Sequence, residues 1–118
     1  MKIPNWIREE LILVLDLYLK NRKHFTSIPK SVLDEYSNLC KKLHPQHYGD
    51  TEPNFRSASA VYIKLESFRC IDPEWPEHSG LGNLGQNTIS IWNELSNNPN
   101  EVAVLAGKIK QSIKEDGI

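Results

Sequence analysis

Two histidines three residues apart, His44 and His47, are the first residues whose type and spacing suggest chemistry. They look like a metal-ligand pair, but Pro45 interrupts the segment and no cysteine or glutamate stands at ligand spacing, so no zinc site is expected. The run Gly80-Leu81-Gly82-Asn83-Leu84-Gly85 matches the glycine spacing of a dinucleotide-binding loop. Such a loop works by following a strand and opening a helix against a pyrophosphate, and no strand pattern precedes it here. The sequence also lacks a Gly-Lys-Ser/Thr phosphate loop, a nucleophile elbow and a Cys-x-x-Cys pair. The chain is therefore read as non-enzymatic, with no catalytic residue, metal, cofactor or small-molecule substrate.

A second set of residues suits a polyanion instead. The segment after Phe55 places Ala58, Val61, Leu65 and Phe68 on one side of a helix, spaced three, four and three apart. At 100° per residue the opposite side carries Arg56, Ser59, Ala60, Ile63 and Ser67, with Lys64 at its margin; Ser57, next to Arg56 at the helix start, is counted with them as a DNA-binding candidate. A helix lying in a major groove roughly 12 Å wide benefits from short side chains that let its backbone approach, and from Arg or Lys for guanine edges and phosphates. Ile63 would meet a pyrimidine methyl group. Lys41, Lys42 and His44 precede this helix, where backbone phosphates would run. Lys20, Arg22, Lys23 and His24 form another basic cluster. In this reading Arg56→Ala relaxes base specificity and leaves the fold intact. The competing expectation is that the small-residue face packs against later helices, with Ile63 in the core.

The elements that must position these residues are helices, because five segments carry a 3.6-residue apolar period and none alternates as a strand. The first is expected from Asn5, as its cap, to about Arg22. Its unbroken Leu11-Ile12-Leu13-Val14-Leu15 run leaves no side wet, so it must be a central strut. The second begins near Ser31, with Asp34 three positions on, and carries the stripe Val32, Leu33, Tyr36, Leu39, Cys40 and Leu43. The third covers about Arg56 to Cys70. A long connection follows, which Trp75 and Leu81 are expected to pin to the core. A short fourth helix holds Ile89, Trp92 and Leu95. The fifth has the clearest start: Asn98 as cap, Pro99 at the first helical position and Glu101. The fold class is thus all-α: one domain over 1–118, a compact five-helix unit. Its helix-turn-helix-like core of three helices spans 1–70, and the loop with two supporting helices spans 71–118.

Composition agrees. The chain's 118 residues suit one domain, and 39% hydrophobic with 25% charged residues is a globular composition. No run approaches the roughly 20 apolar residues of a membrane span. The N-terminus lacks the apolar core of a signal peptide, and two cysteines are too few for a disulfide scaffold. A cytoplasmic location is expected, with Cys40 and Cys70 buried as thiols. The formal charge of −1 hides an asymmetry: residues 1–70 hold 11 Lys/Arg against 8 Asp/Glu, and residues 71–118 hold 3 against 7. A basic front half suits a domain that turns one side to a nucleic acid.

Trp6 with Glu9-Glu10 at the head of the first helix, followed by two further helices, is the plan of small tri-helical DNA-binding units of the Myb or homeodomain kind. The longer series is more specific. Trp6 to Tyr18, Phe55-Arg56-Ser57, Val61-Tyr62-Ile63-Lys64-Leu65, Phe68, Asp72-Pro73, Gly80-Leu81 and Trp92-Asn93-Glu94 together resemble the N-terminal domain of McrA-type HNH endonucleases. Those are restriction enzymes directed at modified DNA. The resemblance implies a helical, DNA-associated domain normally followed by a nuclease domain, with double-stranded DNA as partner. The His-Asn-His metal finger is absent here, so cleavage does not carry over. Where the family often has Asn and Gly, this chain has Ser59 and Ala60. The alternative function is a protein-interaction or dimerisation module, docking onto an HNH nuclease or a second copy of itself.

Overall fold

The computed structural model describes residues 6–43, 55–74 and 85–116. Over these the chain forms α1 (Arg8–Lys20), a 3-10 turn (Phe25–Ser27), α2 (Lys30–Lys42), α3 (Ala58–Ile71), α4 (Gln86–Leu95) and α5 (Pro99–Asp116), with no strand. The expected all-α, five-helix class is what is found. The Cα radius of gyration is 13.8 Å, where a compact chain of this length has about 13.5 Å.

The unbroken apolar run in α1 has the consequence its pattern demands. Residues Leu11 through Leu15, with Leu17 and Tyr18, are all buried. The helix touches each of the other four, α5 most extensively. Around it close Tyr36 and Cys40 of α2, Val61, Leu65 and Phe68 of α3, Ile91, Trp92 and Leu95 of α4, and Val102, Ala106 and Ile113 of α5. Tyr18, Phe68 and Trp92 form an aromatic triangle with ring centroids about 6 Å apart, within the range where tilted and edge-on pairs are favourable. Cys40 and Cys70 are both buried thiols outside any disulfide, as expected. No helix among the described residues is long and apolar enough to cross a membrane.

The helix ends depart from the sequence reading by a few residues, each time for a local reason. α1 begins at Arg8 rather than Asn5, because Glu10 reaches back to accept the Ile7 N–H at 3.1 Å, half of a capping box. It stops at Lys20 rather than Arg22, where the Asn21 amide donates back to the Leu17 carbonyl. α2 starts at Lys30 with Pro29 before it and no side-chain cap, so Ser31 is not the cap expected. α3 starts at Ala58, capped by the Ser57 hydroxyl accepting from the Ala60 N–H at 3.2 Å. Gly85 precedes α4 at φ +84°, in the left-handed region glycine favours. Pro99 opens α5 as expected. The expectations for Asn5, Trp75 and Leu81 fall on residues outside those described.

Candidate nucleic-acid interface

The residue expected to read a guanine is in the core. Arg56 is 3% exposed, stands outside α3 and has a φ of +48°, a conformation that costs a non-glycine residue on the order of 1 kcal/mol. Its Nε donates to Glu10 Oε2 at 2.6 Å and its Nη2 to Glu10 Oε1 at 3.0 Å. The guanidinium also lies against two rings, 4.2 Å from the Trp6 centroid and 4.7 Å from that of Phe55. Two aromatic faces and a two-pronged carboxylate contact replace the water both charges lose. Arg56 therefore cannot meet a base edge. The helical projection failed because it assumed that the helix already ran through residue 56.

Glu10 is the partner that sequence reasoning missed, although a signal was present. A glutamate heading a helix that must be covered on all sides has to find a cation inside. Cys40 shares this region; burial first, and then the Glu10 carboxylate, push its thiol above the ordinary cysteine range. On the other side of the clamp the Ser37 hydroxyl donates to the Arg56 carbonyl at 2.6 Å. The segment just before α3 is thus tied to both α1 and α2.

Ser67 is also withdrawn from the expected face: it is 4% exposed and its hydroxyl donates to the Ile63 carbonyl one turn back. Lys64 is half-buried, donating to Thr88 Oγ1 of α4 at 3.0 Å and lying 5.3 Å from the Trp6 ring centroid. Burial and the neighbouring Arg56 charge lower its pKa. It joins α3 to α4 rather than pointing outward. Ser57 is occupied as the helix cap. What stays open is the first two turns of α3, with Ser59 exposed, Ala60 half-exposed and Ile63 52% exposed. The expectation of a small-residue face survives there, and the competing placement of Ile63 in the core does not.

Beside these turns lies a shallow groove of about 320 Å³ between α2 and α3, lined by Lys30, Leu33, Ala58, Ser59, Tyr62 and Ile63. Lys30, at its rim, is a residue the sequence reading passed over, because it lies just ahead of the expected helix start. Lys41 is half-buried and Lys42 exposed at the far end of α2; His44 lies outside the described residues. Most other front-half cations are bound to acids: Arg8 to Glu94, Lys20 to Asp16, Arg22 to Asp72 and Glu74, Lys23 to Glu74, and Arg69 to Glu66. The basic cluster at 20–24 is thereby largely neutralised. Among the described residues Lys30, Lys41, Lys42 and Lys64 have no carboxylate ion-pair partner; Lys64 is half-buried against α4, and the other three lie on α2, where Asp34 and Glu35 separate the two basic ends.

Compared with protein-family models, curated proteins and solved structures, the chain matches none. Among the described residues, no three His, Cys, Asp or Glu side chains gather as metal ligands; His44 and His47 lie outside this set.

Proposed function

We propose that this chain is a non-catalytic, double-stranded DNA-binding module of a restriction or defence system, which lays the first two turns of α3 in a major groove. The observation that carries this reading is the open, small-residue start of α3 beside an α2 whose lysines have no carboxylate partner among the described residues. In helix-turn-helix units the residues near the N-terminus of the second helix meet base edges while the first helix crosses the backbone. Ser59 supplies a polar contact and Ile63 an apolar one. Lys30 and Lys41 are about 16 Å apart along α2, far enough to reach phosphates on either side of a groove roughly 12 Å wide. The resemblance to McrA-type endonuclease domains supports the same reading, with cleavage left to a separate HNH domain.

A labelled-duplex titration at several salt concentrations tests this. Contacts from Lys30, Lys41 and Lys42 to three phosphates give a log-log salt slope of about −2.7. Ile63→Glu, at a position whose exposure spares the fold, weakens binding by more than ten-fold, or about 1.4 kcal/mol. Binding that ignores salt, or an Ile63→Glu variant that binds like the parent, contradicts the proposal.

The apolar lining of the groove favours one second reading, the docking of an amphipathic partner segment over Leu33, Tyr62 and Ile63. That partner is an associated nuclease or a second copy of the chain. Its signature is the reverse: capture that survives high salt, with no duplex affinity.

A further inference from the structure

We infer that Arg56 is a positioning residue for DNA recognition, the centre of a clamp that fixes where the exposed start of α3 is presented. The inference rests on the DNA-binding reading above. Three helices meet at this residue: its guanidinium holds Glu10 of α1, its carbonyl accepts the Ser37 hydroxyl of α2, and Ser57, next in the chain, caps α3. Its positive φ turns the chain between the side-chain anchor and the helix start. Ser59 lies three residues on and Ile63 seven, so a shift at Arg56 is carried directly into the face that meets the duplex. The arrangement separates two properties that a sequence motif merges: the phosphate contacts belong to α2, and the placement of the reading face belongs to the clamp.

Ser37→Ala tests the clamp gently, because it removes one hydrogen bond and leaves the Arg56–Glu10 pair. Arg56→Lys keeps the charge and gives up the two-pronged contact. The full chain is labelled at its isoleucine methyl groups and titrated with a labelled duplex at two salt concentrations, its helicity and melting checked alongside. The clamp predicts that folded Ser37→Ala binds the duplex several-fold more weakly, because the start of α3 is no longer held in its binding position before the duplex arrives. Its salt slope stays that of the parent, its Ile63 methyl signal moves, and the Ile91 and Ile113 signals stay in place. Arg56→Lys moves the Ile63 signal further in the same direction. A folded Ser37→Ala variant with parental affinity or an unmoved Ile63 signal overturns the positioning role, whereas a parent chain with no duplex affinity overturns the DNA reading on which it rests.

Discussion

Arg56 has the chemistry of a base-reading residue and the surroundings of a core ion pair, and the surroundings decide. Truncating it takes the two-pronged guanidinium contact away from the Glu10 carboxylate, which is 0% exposed. Breaking a buried pair from one side costs about 3–5 kcal/mol. Arg56→Ala is therefore expected to lower the urea midpoint of unfolding severely, and a variant of parental stability would contradict the pairing. This replaces the outcome expected from sequence, a stable protein with relaxed specificity. What the sequence could not display was one backbone angle: with φ at +48° the side chain leaves the helical register and turns inward. Ile63 was legible for the opposite reason. An aliphatic residue between Ser59 and Ser67 on a helix whose other side is richly apolar has nowhere dry to go.

At the scale of elements, periodicity located the five helices of the described residues because each must bury a stripe, while their ends were set by side-chain reaches that periodicity does not encode. The end of α3 shows this. Asp72 follows Ile71 and gathers Tyr18 Oη at 2.6 Å, Arg22 Nε and Nη2 at 2.6 Å each, and the Glu74 N–H at 2.9 Å. Residues 18 and 22 belong to α1 and its exit, so one carboxylate ties the ends of two helices separated by about fifty positions in the chain. Burial opposes its ionisation, yet the Arg22 and Tyr18 hydrogen bonds outweigh it and hold the Asp72 pKa below the usual range. A carboxyl group depressed in the folded state stabilises fully above its unfolded value of about 3.9 and loses that contribution as pH falls through the lower native value. Asp72→Asn should therefore melt earlier than the parent at pH 7, with the gap narrowing below about pH 4. Parallel melting curves across that range would contradict the linkage.

For the whole molecule, the basic excess of the front half was legible in composition, but its destination was not. Composition counts Arg8, Lys20, Arg22, Lys23, Arg56 and Arg69 as available cations, whereas folding pairs each with an acid. Among the described residues the exposed charge left for a polyanion in the front half is smaller and lies on α2, beside the stretch of α3 that remains open. Among the described residues the large exposed apolar side chains are Ile63 on α3 and Val104, 57% exposed, on α5, and of these two Ile63 lines the α2–α3 groove. A duplex should accordingly engage one side of the protein. Nuclear magnetic resonance mapping of the intact labelled chain against an unlabelled duplex measures this most directly. The account predicts shifts at Lys30, Ser59, Ala60 and Ile63 and none at Val104 or Asn93; shifts centred on α4 and α5, or none anywhere, would contradict it.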